Sequence, residues 1–174
     1  MELIYIENIG LSQYAMPIRD LLVLADKEFN PPLSTRGSTT QTDLSHPDSI
    51  AHGIQTYYEA MCRQPAIVAL DSGRCMGFMA FKINYTCEQI REDQCPNLYA
   101  STCVVHPDAR GKGLMTGFYQ KMIELFPTHD IFTRTWHSNT SHLYVLSKLG
   151  FREFARLTDH RGKGMDTVYF CRTH

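Results

Sequence analysis

Net charge, paired cysteines and long apolar runs are all scarce in this chain. Its 17 basic and 18 acidic residues nearly cancel, leaving −1, so no global positive field draws nucleic acid or anionic lipid to it, and only a local basic patch remains open. The six cysteines, Cys62, Cys75, Cys87, Cys95, Cys103 and Cys171, include no CxxC pair. Three of them, Cys75, Cys103 and Cys171, fall in strand-like apolar runs and read as reduced core thiols. There is no stretch of 18 consecutive apolar residues, and Glu2 and Glu7 stand where a signal peptide would be basic and then apolar, so the expectation is a soluble cytoplasmic protein with no membrane partner. HExxH is missing, and the nearest histidine pair, His137 and His142, is five apart and shares no helical face, so no metal is expected and these read as surface or capping residues.

What is present fits one ordinary globular domain over residues 1–174, with 43% hydrophobic and 20% charged residues. Leu3 to Ile9 reads as a strand and Tyr14 to Ala25 as a helix with Ile18, Leu21, Leu22 and Ala25 on one face. Asn30 to Ser45, with Pro31 and Pro32 before a Ser/Thr-rich run, reads as a mobile loop, after which Asp48 or Ser49 caps a helix carrying Ile54, Tyr57, Tyr58 and Met61. Ala66 to Leu70 and Met76 to Ile83 flank the turn Asp71-Ser72-Gly73-Arg74 as a hairpin, and Leu98 to Val105 follows as a strand. Leu114, Phe118, Met122 and Leu125 make a helical stripe stopped by Pro127. Strand Ile131 to Trp136, helix Asn139 to Leu149 closed by Gly150, and strands Phe151 to Leu157 and Thr167 to Cys171 complete a β-α-α-β-β-β-α-β-α-β-β order. That order is an α/β (α+β) layout, with helices packed on one mixed sheet.

The strand from Leu98 meets a glycine-rich turn, Val105-His106-Pro107-Asp108-Ala109-Arg110-Gly111-Lys112-Gly113, just before the Leu114 helix. Glycines leave no side chain to hold a ligand away, and the first amides of a helix have no intrahelical partners. With Arg110 and Lys112 beside them, such amides suit a phosphate or pyrophosphate. The letters alone say little, because residues 161–164 repeat Arg-Gly-Lys-Gly between two strands. That second copy feeds no helix and reads as a hairpin connection, although its cations could border an acceptor site and attract an acidic group there.

A second motif, Asn139 followed by Ser147-Lys148-Leu149-Gly150-Phe151, lies downstream, and together the two motifs resemble the GNAT acyltransferase superfamily. The resemblance implies a mixed sheet of six to seven strands flanked by four helices. It implies acetyl-CoA as cosubstrate, with main-chain groups of Cys103, Val104 and Val105 aligning the pantetheine arm. Arg110, Gly111, Lys112, Gly113, Leu114 and Met115 would then meet the pyrophosphate, and Asn139 would lie beside the arm. Three positions depart from the family pattern. Met115 replaces a small residue, and Leu146 stands where a tyrosine often protonates the departing thiolate, with Tyr144 two residues away on another face. The strand Leu98 to Val105 lacks the glutamate that many relatives use as a base.

Glu92 and Asp93, in the loop before that strand, are the candidate bases, with Tyr99 and Thr102 as polar groups near the acyl position. Without a strong base an acceptor of low pKa is favoured: deprotonating a lysine amine of pKa ~10.4 at pH 7 costs about 4 to 5 kcal/mol, an α-amine near ~7.8 only about 1. The expected function is direct acetyl transfer to an amine of a small molecule, peptide or protein, without a covalent enzyme intermediate. The sequence is compatible with a homodimer. A catalytically weak acyl-CoA-binding or sensor domain is the alternative, and an ATP-binding enzyme is disfavoured because GxxxxGK[ST] and GxGxxG are both missing.

Overall fold

β-Branched and aromatic residues at period two build the sheet, and helices at period 3.6 cover it. The computed structural model describes residues 1–44 and 53–174. Its elements are β1 (Glu2–Ile6), α1 (Ala15–Ala25), α2 (Gly53–Met61), β2 (Ala66–Asp71), β3 (Arg74–Ile83), β4 (Asn97–Val105), α3 (Leu114–Leu125), β5 (Asp130–Trp136), α4 (Thr140–Lys148), β6 (Arg152–Leu157) and β7 (Thr167–Arg172). Among the described residues these seven strands form one sheet in the order β1-β2-β3-β4-β5-β7-β6, in which β4 and β5 are the parallel pair. The expected α/β class and element order are therefore found. Among the described residues no helix is long and apolar enough to cross a membrane.

Each face of the sheet has its own core. Ile18, Leu22 and Ala25 of α1 and Tyr57 and Met61 of α2 pack with Val68, Phe78, Ala80 and Val104. On the other face Leu114, Phe118 and Met122 of α3 and Leu146 of α4 pack with Met79, Phe81, Leu98 and Ile131. Burying each of the Val, Leu, Ile, Phe and Met side chains among them contributes about 1.5–3 kcal/mol before entropy is counted. β2 and β3 are joined by Ser72-Gly73, whose φ values of 50° and 80° give a two-residue turn, tighter than the four-residue one expected.

Two expectations change, and a third falls outside the described residues. β1 ends at Ile6 because Ile9 and Gly10 donate their amides to Gln64 and Cys62 carbonyls instead of to a strand. The expected mobile loop is, in its described part, packed down by a short helical turn, Leu33–Thr35, with Leu33, Arg36, Thr39 and Leu44 buried. In the described residues α2 begins at Gly53, and the expected caps Asp48 and Ser49 lie outside them.

Candidate active site

One rung decides where the sheet opens. β4 and β5 pair only from Asn97↔Asp130 to Ala100↔Thr133, and the Thr133 hydroxyl closes the last rung by donating to the Ala100 carbonyl at 3.1 Å. At the next residue β4 bulges: Phe81 pairs with Ala100 and Ala80 with Thr102, leaving Ser101 extra. The Ser101 hydroxyl is drawn to Gln64 Oε1 at 2.6 Å and the Ala80 carbonyl at 3.2 Å. A bulge bends its strand, so β4 follows β3 as far as Val105↔Gly77 while β5 follows β7 as far as Trp136↔Thr167. A cavity of about 870 Å³ occupies the gap between them.

The wall toward β4 is main chain. His106 donates its amide to the Met76 carbonyl, which sets the alternation: groups of residues 102 and 104 face β3, and those of Cys103 and Val105 face the gap. The floor is the start of α3. Gly111 and Gly113 adopt φ values of +71° and +76°, with no atom within 4 Å of where a Cβ would sit. Gly113 caps the helix without a side-chain bond, and its carbonyl first receives the amide of Gly117. The amides of Leu114, Met115 and Thr116 are thus left for an anion, at the positive end of a 12-residue helix. Open glycines and unpaired amides suit phosphate oxygens.

The side chains of the turn are otherwise engaged. Arg110 donates to both carboxylate oxygens of Glu28 at 2.7 and 2.8 Å and to the Val105 carbonyl at 3.3 Å, while Lys112 folds back to the Asp108 carbonyl at 2.8 Å and is not in the lining. Met115 lines the cavity while packing on the α3 core. On the far wall Asn139 caps α4, accepting the His142 amide at 3.4 Å and donating to Thr135 Oγ1 at 2.9 Å.

The sequence-derived catalytic candidates need correction. Glu92 and Asp93 sit in a short turn ahead of Asn97, at the paired end of β4 and away from the gap, with Asp93 held by Arg91 at 3.0 Å. Tyr99 is buried against Tyr85 and Phe132 and does not line the cavity. Leu146 is fully buried in the α3/α4 core, so it does not reach the cavity wall, and Tyr144, expected to face away, lines the cavity at 65% exposure. The two are 200° apart on the helix, and the apolar one takes the sheet.

Several lining residues had no sequence signal. Tyr119 and His142 share a 2.8 Å hydrogen bond in the cavity wall. Burial pushes the His142 imidazole down to about 4 and keeps it neutral at pH 7, so it is neither a surface nor a capping histidine. Arg36, Arg134 and Arg161 also line the cavity. Arg161 belongs to the second Arg-Gly-Lys-Gly copy, whose cations the sequence already allowed beside an acceptor site, and the cation of Arg134 inside the apolar run of β5 is a further hint. Glu28 is the single carboxylate among the described lining residues, and among the described residues no cluster of three or more His, Cys, Asp or Glu is placed to hold a metal.

The family model for the acetyltransferase (GNAT) family matches residues 36–151. No curated protein sequence matches the chain. Its fold is similar to that of ribosomal-protein-alanine N-acetyltransferase from Brucella melitensis, at a TM-score of 0.66 and 15% identity with all of both chains covered. It is also similar to IAA acetyltransferase from Bacillus cereus, at 0.60 and 16% with 99% and 100% covered. The Salmonella typhimurium protein YncA, described as an acetyltransferase and solved with its cofactor acetyl-CoA, aligns at 0.62 and 15% with 98% and 93% covered.

Proposed function

The chain belongs to the acetyltransferase (GNAT) family, and from that premise we propose that it is an acetyl-CoA-dependent N-acetyltransferase acting on a small molecule or peptide amine by direct transfer. The observation that carries this reading is the gap between β4 and β5 opening onto the free amides at the start of α3. The pyrophosphate would lie on the amides of Leu114, Met115 and Thr116, where a Cβ at 111 or 113 would otherwise stand. The outward main-chain groups of Cys103 and Val105 would pair with the amides of the pantetheine arm as a strand would, with Asn139 across the gap.

Bound acetyl-CoA supplies a thioester carbonyl that an amine can attack. The amine nitrogen bonds to the acetyl carbon, the carbon–sulfur bond breaks, and the proton lost from nitrogen ends on the thiolate. Main-chain amides on the open edge of β4 would polarise the carbonyl. Among the described residues no free carboxylate lines the cavity to take the proton, since Glu28 is held by Arg110. The acceptor must therefore arrive neutral, which favours an amine of lowered pKa. Thiols have pKa near ~8.5, so the thiolate leaves readily and needs little acid assistance.

A weak acyl-CoA-binding domain is the second reading, favoured by that lack of a free carboxylate. Labelled acetyl-CoA incubated with an amine panel, beside calorimetry with CoA, separates the two. Transfer to an amine supports the enzyme, tight CoA binding without transfer supports the binding domain, and absence of both sinks each.

A further inference from the structure

Across the sheet from the phosphate cradle, three guanidiniums from three separate segments line the same cavity. Thr133 and Thr135 of β5 face the α3/α4 side, where Thr135 meets Asn139, so Arg134 and Trp136 face the side covered by α1 and α2. Arg36 comes from the chain after α1, and Arg161 from the β6–β7 connection. Arg36 and Arg161 are each only 7% exposed. Aromatic rings hold them together: Arg36 lies over Phe29 at 5.7 Å, Arg161 over Trp136 at 5.7 Å, and the two rings are 6.3 Å apart.

Among the described residues none of the three forms an ion pair within 4 Å, and Asp26, whose charge acts on Arg36 from farther away, is taken up by the amide and hydroxyl of Ser34. Arg36 donates to the Pro31 carbonyl, Arg134 to the Gln41 carbonyl and the Tyr169 hydroxyl, and Arg161 to the Thr167 hydroxyl and the Asn30 carbonyl. These partners orient the forks without neutralising them. Nη1 of Arg36 and Nη2 of Arg161 have no bond among the described residues. Burial, together with Arg36 and Arg134, pushes Arg161 down to about 9, still cationic at pH 7. Like charges buried side by side are costly unless an anion joins them.

We propose that the acceptor is a small amine carrying an oxyanion, a free amino acid being the simplest case, with the anion held by Arg36, Arg134 and Arg161 and the amine facing the gap; this rests on the acetyl-transfer reading above. Guanidinium forks match carboxylate and phosphonate oxygens in pairs. The same positive field disfavours an ammonium beside it, which keeps the attacking amine neutral where no carboxylate base is free among the described residues.

Trp136 is the chain's one tryptophan and lies under Arg161, so its fluorescence reports the anion site without any turnover. With CoA bound, the full chain is titrated with amino acids, their matched carboxamides, the decarboxylated amines and aminophosphonates, and the same compounds are assayed for acetylation. Amino acids or aminophosphonates should perturb Trp136 and be acetylated at least about tenfold better, in kcat/KM, than the uncharged counterparts, and which of the two wins identifies the oxyanion. The carboxamides have the less basic amines, so pKa alone would favour them, and the comparison works against the proposal. Arg161→Gln and Arg36→Gln should erase the preference, with CoA binding reporting whether each variant folds. Equal response to charged and uncharged members, or no response to any oxyanion, overturns the proposal. Anion binding without transfer leaves this site standing and sinks acetyl transfer, whereas transfer only to uncharged amines or peptides does the reverse.

Discussion

Arg110 grips both carboxylate oxygens of Glu28, at 2.7 and 2.8 Å, and so ties the chain just after α1 to the turn that opens α3. Each partner is about half exposed, so the pair is weak in water and its worth depends on salt. It also puts a negative charge beside the place proposed for the pyrophosphate.

Glu28→Gln should therefore tighten CoA binding, by roughly threefold at low salt, which corresponds to about 0.6 kcal/mol and is the scale of an exposed ion pair. Calorimetry at low and at high sodium chloride checks it. The gain should vanish at high salt, and weaker binding in the variant would show that Glu28 positions Arg110 for the ligand instead of competing with it.

Gly77 is needed for close approach: a Cβ there would sit 2.8 Å from the Val104 carbonyl oxygen and 3.3 Å from the Val105 Cα. Both are backbone atoms of the strand that walls the gap. Gly77→Ala should push β4 outward, with a loss of about 1–3 kcal/mol in urea unfolding and weaker CoA binding. Unchanged stability would mean that β3 and β4 have slack at this rung.

His142 makes stability depend on pH. Its pKa falls from 6.5 to about 4 on burial, so the unfolded chain binds the proton more tightly. The stability from keeping it neutral is complete above pH 6.5 and is lost as pH falls through about 4. The full difference is on the order of 3 kcal/mol. Urea melts from pH 7 to 4 should show this slope, and His142→Phe should flatten it. An equally steep slope in the variant would assign the effect to other groups.

Leu146→Tyr tests the helix face. Leu146 is fully enclosed by the α3/α4 core, so a tyrosine there overpacks it and should cost about 1–3 kcal/mol, read as a lowered melting temperature. It should not add acetylation activity. Faster transfer with unchanged stability would mean that the ring reaches the cavity and that the family position works as in relatives.

Local chemistry made the glycine turn ahead of α3 legible. Gly111 and Gly113 are the residues that a left-handed turn requires, the Leu114–Phe118–Met122 stripe marks a buried helix face, and Asn139 is a helix cap by type. These signals lie within a few residues of what they specify. Periodicity placed Leu146 on the inward face of α4, and only the resemblance put it at the cavity; spacing fixes the angle between Leu146 and Tyr144, and docking on the sheet leaves Tyr144 to line the cavity. Glu92 and Asp93 were misplaced for a similar reason. Proximity in sequence to β4 put them at its paired end, while the gap lies at the other.

The sequence by itself determined the order of elements and the glycine-rich turn at the start of α3, since each follows from periodicity or from one residue's allowed backbone. Tertiary structure alone decided the rest. The gap exists because a bulge at Ser101 turns β4 from β5. Its cationic wall exists because Arg36, Arg134 and Arg161 meet from three distant segments. The repeated Arg-Gly-Lys-Gly letters show the difference: Arg110 stays at a half-exposed turn, and Arg161 is buried beside Trp136, because burial is set by what packs against a residue and not by its neighbours in the chain.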